Sequence, residues 1–214
     1  GYMLKSQILQ ELGKTEEALA AARDAVKINP TNSDSSRQLA ILLYNKYMNS
    51  GASPATDLFV ETERTLRMAM ANNPGQWQLQ AMYARFVQDN DPQRALSIMQ
   101  GVAENSISPQ ATLSYGQMAA EMAQKEIDPD KKQHLFDIAG QALKKAYSQM
   151  PENPQAVDAY SEYLRLTGQS TQVEQAFADR PDVMWKIYLR NNQNQKAKEL
   201  IEQLLEKNPA DTSL

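Results

Sequence analysis

The chain has 214 residues, of which 42% are hydrophobic and 22% are charged, a composition typical of folded soluble proteins and unlike that of disordered ones. Its formal net charge is −4 and its pI is near 5.2, with acids and bases interspersed, so we expect neither nucleic acid nor an anionic membrane surface as a partner. No apolar run approaches the roughly 18 residues that a membrane-spanning helix needs, and residues 1–10 lack the features of a signal peptide.

The first clear element is a helix that follows a turn in the sequence LGKTEEALAAARDAVKINP, residues 12–30. Gly13 is expected to end a preceding helix, Thr15 to cap the next one, and Pro30 to forbid its continuation. The small residues of this helix lie three and four positions apart and share one face: Ala18, Ala22 and Ala25. We expect that face to cover an apolar stripe on the preceding helix, made of Leu4, Ile8, Leu9 and Leu12.

The same ending recurs along the chain, because Asn-Pro also stands at residues 73–74, 153–154 and 208–209. With turn residues between the apolar patterns, this recurrence predicts six helix pairs. The predicted pairs span residues 1–30, 33–73, 76–108, 109–150, 154–180 and 181–208, followed by a tail at residues 210–214. Two departures stand out: an insertion at residues 49–56 and a short second helix at residues 171–178.

Self-similarity at a period in the thirties is typical of a helical solenoid. In its first repeat the chain resembles the tetratricopeptide repeat family, through Gly13, Ala18, Ala25 and Pro30 at that family's spacing, with Tyr2 in the place of its first aromatic residue. The resemblance implies an all-α fold, a right-handed superhelical solenoid of about six antiparallel helix pairs that covers residues 1–209. Trp185 departs from the pattern, because it falls where a small residue is expected.

In such arrays the first helices of successive pairs line a concave groove that holds a peptide or a partner helix. The resemblance carries the groove positions of that family onto nine residues of this chain: Gln7, Arg37, Ile41, Tyr44, Arg85, Gln117, Asp158, Glu162 and Lys186. The first half of this set is positive to neutral and the region around Asp158 and Glu162 is acidic, which indicates a partner of mixed polarity. The lysine and asparagine pair with which some family members grip a chaperone C-terminus is missing.

The residues offer no catalytic or metal-binding constellation. The chain has no cysteine and one histidine, His134, in a mixed-charge helical stretch typical of a protein surface. No glycine-rich loop is followed by the Lys-Ser/Thr pair that cradles phosphate, and one histidine at such a position makes a serine triad improbable. We therefore expect no enzyme activity, no metal and no cofactor.

Three hypotheses follow for function. The first is a non-catalytic scaffold that binds another protein or peptide in the concave groove. The second is the repeat portion of a larger machine, such as a transferase or a bacterial envelope export or assembly apparatus, since the chain opens without an initiator Met and directly on a repeat. The third is self-assembly into a homo-oligomer through exposed end faces. The absence of cysteine suits the cytoplasm and the periplasm equally.

Overall fold

The structure is a computed structural model that describes residues 1–51, 53–54 and 56–207. In those residues it contains twelve helices and no strand, so the predicted all-α class is confirmed. The helices are α1 (Tyr2–Glu11), α2 (Thr15–Ile28), α3 (Ser33–Ser50), α4 (Asp57–Asn72), α5 (Trp77–Val87), α6 (Pro92–Asn105), α7 (Pro109–Lys125), α8 (Pro129–Gln149), α9 (Pro154–Leu166), α10 (Ser170–Ala176), α11 (Pro181–Arg190) and α12 (Asn194–Lys207). The predicted tail at residues 210–214 lies outside the described residues.

The chain divides into two compact units, Gly1–Ser114 and Tyr115–Leu214. In the first unit α1 packs on α2, α3 on α4 and α5 on α6, and the second helix of one pair also packs on the first helix of the next. In the second unit α8 packs on α9, α9 on α10 and α11 on α12. Each helix hairpin thus buries one face against its partner, as repeat architectures require.

Helix ends follow the residues that the sequence places there. Asn32 caps α3, its side chain accepting a hydrogen bond of 2.7 Å from the Ser35 amide, as asparagine commonly does at this position. Gly13 has φ +73°, a left-handed conformation that suits glycine at the turn after α1. The expectation for Thr15 is wrong, because α2 begins at Thr15 itself and the cap position is Lys14, which makes no side-chain cap hydrogen bond.

The Asn-Pro dipeptides act in different ways. Asn153 caps α9, where its side-chain oxygen accepts from the Gln155 amide at 2.9 Å. Asn73 is buried and instead donates from Nδ2 to the carbonyls of Ala69 at 2.8 Å and Ser33 at 3.1 Å, so it ties the end of α4 to the start of α3. The asparagine of an Asn-Pro dipeptide thus accepts from backbone amides at the start of the next helix in one case, and donates to backbone carbonyls in the other.

The apolar stripe expected on α1 is only partly covered. Leu9 is buried, but Leu4, Ile8 and Leu12 are 58%, 48% and 66% exposed. The residue that the alanine face of α2 reaches is Ser6, which is fully buried and donates to the Ala18 carbonyl at 2.9 Å. The contacts of α1 are with α2 and α3, and these two helices cover Ser6 and Leu9 while the rest of the stripe stays open.

The second unit packs around small and aromatic residues. Gly116 of α7 lies where a Cβ atom would approach Leu143 Cγ of α8 to 2.8 Å, which explains the small residue at this position. After the short helix α10, Phe177 is fully buried, with its ring centroid 5.0 Å from that of Tyr147 and 6.1 Å from that of Tyr160. This aromatic contact anchors a helix of only seven residues.

Candidate functional site

A depression of about 570 Å³ opens on the second unit, and we call it the polar groove. It is lined by one residue of α7, four of α9 and one of α11: Gln117, Gln155, Asp158, Ala159, Glu162 and Arg190. Gln117, Asp158 and Glu162 are three of the predicted groove residues, and the structure brings them together. The groove is polar because its lining offers two amides, two carboxylates and one guanidinium group.

The register of α9 places its carboxylates on one open face. Asp158 and Glu162 are four residues apart, one helical turn, while the buried face of α9 is formed by other positions. The buried residues are Ala156, Val157, Tyr160, Ser161 and Leu164. This amphipathic division holds α9 in the unit and leaves both acids at the surface.

Arginines neutralise both carboxylates. Arg190 of α11 reaches Asp158 at 2.9 Å across the groove. Arg165 donates two hydrogen bonds to Glu162, at 2.8 and 2.6 Å, from outside the lining. The bond from Arg165 is the main cause that lowers the pKa of Glu162, and the charge of Arg190 acts in the same direction. Glu162 is thus held ionised, and the groove together with Arg165 contains as many guanidinium groups as carboxylates.

These ion pairs are exposed. The side chains of Asp158 and Arg190 are 56% and 48% accessible to solvent. Exposed pairs of this kind contribute about 0–1 kcal/mol, so little free energy opposes their exchange for new partners. The ion pairs of Asp158 and Glu162 can therefore be replaced by contacts with a bound peptide segment.

Lys186 does not line the polar groove. Its Nζ lies 5.2 Å from the ring centroid of Trp185, a cation–π contact. Trp185 is half-buried, and its indole Nε1 is shielded from water without a hydrogen-bond partner within the described residues. The lining position on α11 belongs to Arg190, one turn after Lys186, which sequence reasoning missed together with Gln155.

The other predicted residues belong to the first unit. Gln7 is exposed on α1 and Ile41 is half-buried on α3. Arg37 pairs with Asp34 on its own helix at 2.7 Å. Tyr44 and Arg85, from α3 and α5, lie close enough to interact: burial raises the pKa of Tyr44, and the charge of Arg85 opposes that rise. Tyr44 and Arg85 are thus two predicted groove residues on different helices that interact electrostatically.

Among the described residues, no group of three or more histidine, aspartate or glutamate side chains is arranged to hold a metal ion. None of the described helices combines the length and hydropathy needed to cross a bilayer. His134 is exposed on α8.

Comparisons with known proteins bear on the fold. A family model for the tetratricopeptide repeat matches residues 1–32. No curated protein sequence gives a significant match. Among solved structures, PilW, described as a widely conserved type IV pilus biogenesis factor, is 19% identical with a TM-score of 0.61, over 100% of this chain and 94% of PilW.

Two further structures are similar over most of their length. MamA is 15% identical with a TM-score of 0.60, over 90% of this chain and 93% of MamA. YrrB, described as a TPR protein with an unusual peptide-binding site, is 15% identical with a TM-score of 0.51, over 99% of this chain and 87% of YrrB. Residues 1–32 are thus a tetratricopeptide repeat, and the chain as a whole has the fold of tetratricopeptide-repeat proteins.

Proposed function

We propose that this chain is a non-catalytic interaction scaffold that binds an extended segment of another protein in the polar groove. The observation that carries the proposal is the convergence of Gln117 from α7 with Asp158 and Glu162 from α9, all three selected by the family resemblance, on one depression large enough for several side chains. The peptide-binding site described for YrrB supports the same class of function.

The lining suits a polypeptide of mixed polarity. Side-chain amides such as those of Gln117 and Gln155 can both donate to and accept from the main chain of an extended peptide. A basic side chain of the peptide can replace Arg190 at Asp158, and a charge-assisted contact of this kind contributes more than a neutral hydrogen bond. We therefore infer a partner segment that carries at least one lysine or arginine among polar residues.

A peptide display selection against the full chain tests this function. Peptides selected by the wild type should bind the variant Asp158→Asn/Glu162→Gln about tenfold more weakly, because the variant leaves Arg165 and Arg190 without their carboxylate partners and these arginines then repel a basic peptide side chain. The control Glu17→Gln/Asp137→Asn neutralises two exposed carboxylates elsewhere and should change the affinity less than about twofold. Selected peptides that bind the groove variant as tightly as the wild type would contradict the assignment.

The predicted groove residues of the first unit form a second part of the proposal. Arg37, Ile41, Tyr44 and Arg85 offer two cations and an apolar aromatic surface to the partner. Charge reversal, Arg37→Glu/Arg85→Glu, should weaken binding of the natural partner recovered by affinity pull-down of the full-length protein. Unchanged recovery would remove the first unit from the binding surface.

A second candidate function is a part in a cell-envelope assembly apparatus, as the description of PilW suggests for a chain of similar fold. Cross-linking in the native organism, followed by mass spectrometry, would support it if the recovered proteins are envelope assembly components. Recovery of cytoplasmic proteins alone would exclude it.

Self-assembly is the third candidate, and the open stripe of Leu4, Ile8 and Leu12 on α1 favours it. Light scattering at several concentrations should then give a mass that rises with concentration in the wild type and stays at about 24 kDa in Leu4→Glu/Ile8→Glu. A constant monomer mass in the wild type would exclude this candidate.

A further inference from the structure

A cluster of four side chains in the first unit joins α4, α5 and α6, and we call it the Tyr83 cluster: Glu63, Arg67, Tyr83 and Arg94. Tyr83 is 4% exposed, and its hydroxyl donates to Glu63 Oε1 at 2.9 Å while accepting a hydrogen bond from Arg94 Nη2. Arg67, one helical turn after Glu63, donates to the same carboxylate oxygen at 2.7 Å. The buried tyrosine thus fixes the position of three charged groups.

The two guanidinium groups are held by the ring as well as by the hydrogen bonds. The guanidinium carbons of Arg67 and Arg94 lie 5.6 and 5.3 Å from the Tyr83 ring centroid, within the range of cation–π attraction. Such stacking restricts the long arginine side chains before any partner arrives. A partner that binds them therefore loses less side-chain entropy than it would on free arginines.

The charges of the cluster are not balanced. Two cations share one carboxylate, since Arg94 Nη1 also lies 3.8 Å from Glu63 Oε1. The hydrogen bond from Arg67 is the main cause that lowers the pKa of Glu63, so this carboxylate is ionised at neutral pH and the cluster carries a net charge of +1. By contrast, Arg23 and Glu61 nearby in the same unit pair one to one, at 2.7 and 2.8 Å.

Both arginines remain open to solvent. Their side chains are 55% and 41% accessible for Arg67 and Arg94, and each guanidinium has five N–H donors, of which the internal contacts use a minority. Arg67 and Arg94 both approach Glu63 Oε1, so their guanidinium groups lie close together. A single carboxylate from a partner can therefore contact both arginines. The cluster therefore has the number of donors, the fixed position and the charge that an anion requires.

We infer that Arg67 and Arg94 form a docking site for an acidic segment of a partner protein, through an Asp or Glu carboxylate that takes up the uncompensated charge. A protein segment is favoured over a nucleic acid because the chain as a whole carries −4 and repels a long polyanion. The site lies on second helices of the pairs, whereas the predicted groove residues lie on first helices. The Tyr83 cluster also belongs to a different unit from the polar groove. The proposal for one site can therefore be disproved while the proposal for the other still holds.

Titration of the full chain with hexaglutamate at low ionic strength, followed by the arginine side-chain signals in NMR and by calorimetry, tests the inference. We expect Arg67→Gln/Arg94→Gln to weaken binding about tenfold, and Arg64→Gln, an exposed arginine on the same helix, to weaken it less than about twofold. Glu63→Gln should strengthen binding, because it removes the internal carboxylate that competes for both guanidinium groups.

Several results would overturn the inference. They are the absence of hexaglutamate binding, an equal loss in Arg64→Gln, no gain in Glu63→Gln, or tighter binding of hexathymidylate than of the peptide. If the double glutamine variant does not fold, Arg67→Lys/Arg94→Lys keeps the charge but not the planar fork, and we expect a loss of about threefold or more. If the lysine variant bound hexaglutamate as tightly as the wild type, the planar guanidinium groups would not be needed to bind a carboxylate, and the inference would be contradicted.

Discussion

Truncation of Phe177 should destabilise the second unit more than its place after a seven-residue helix suggests. The side chain is fully buried and contacts the rings of Tyr147 and Tyr160. Phe to Ala changes at such sites cost about 3–5 kcal/mol in the free energy of unfolding, since the lost transfer free energy adds to that of the cavity. We expect Phe177→Ala to fall in that range, because α10 is too short to be stable without this contact.

The assay has to report on one unit, because repeat arrays need not unfold in a single step. The two tryptophans of the chain allow this: Trp77 lies in the first unit and Trp185 in the second. In a Trp77→Phe background, urea unfolding followed by fluorescence reports only on Trp185. Far-UV circular dichroism of the same samples then gives the unfolding of the whole helical array.

Two variants calibrate the measurement. Phe177→Leu keeps most of the apolar volume and should cost about 1.5 kcal/mol. Ile127→Ala, at a residue of the same unit that is 93% exposed, should change stability by less than about 0.5 kcal/mol. A loss below about 1 kcal/mol for Phe177→Ala, or one equal to that of Ile127→Ala, would refute the role of Phe177 as an anchor.

Two further predictions concern stability. Gly116→Ala should lower the free energy of unfolding by about 1–3 kcal/mol through overpacking, because its Cβ would lie 2.8 Å from Leu143 Cγ. Gly101→Ala, whose new Cβ would meet no atom within 4 Å outside its own stretch of helix backbone, should raise the free energy of unfolding by about 0.5–1 kcal/mol. The melting temperatures of the two variants should shift in the same directions. Glu61→Gln should cost at most about 1 kcal/mol at neutral pH. Arg23 lowers the pKa of Glu61, so the stabilisation is present above the ordinary carboxyl pKa and is lost as pH falls through the lowered value. Urea midpoints of wild type and Glu61→Gln should therefore converge in acid, and a constant difference down to about pH 2 would contradict this cause.

The fold could be predicted because it rests on local signals. Gly13, Pro30 and the alanines between them specify a turn, a helix and its end within 18 residues, and these signals recur. The sequence does not show which apolar residues are buried against another helix. Leu4 and Ile8 have the spacing of a buried stripe, but burial depends on whether another helix lies against that face, and periodicity carries no information on this.

The candidate site could be predicted only in part. The family positions pointed to Asp158 and Glu162 because both follow from the register of α9, whose buried face is evident from its spacing. Arg190 was missed because its contact with Asp158 joins residues 32 positions apart, and no periodic signal links them. Arg190 lies one helical turn after Lys186 on α11, so extending the family's groove positions by one turn on each first helix would have included it.

Ion pairs at both proposed surfaces determine how partners can bind. At the polar groove, Arg190 already neutralises Asp158, so a basic peptide side chain replaces one exposed pair with another and the net electrostatic gain is small. At the Tyr83 cluster an acidic residue adds a pair, because one positive charge has no internal counterpart. Raising the salt concentration should therefore weaken acidic-peptide binding at Arg67 and Arg94 more steeply than peptide binding at the groove. Equal salt dependence at the two surfaces would contradict the net charge of +1 at the Tyr83 cluster or the balanced charges at the polar groove.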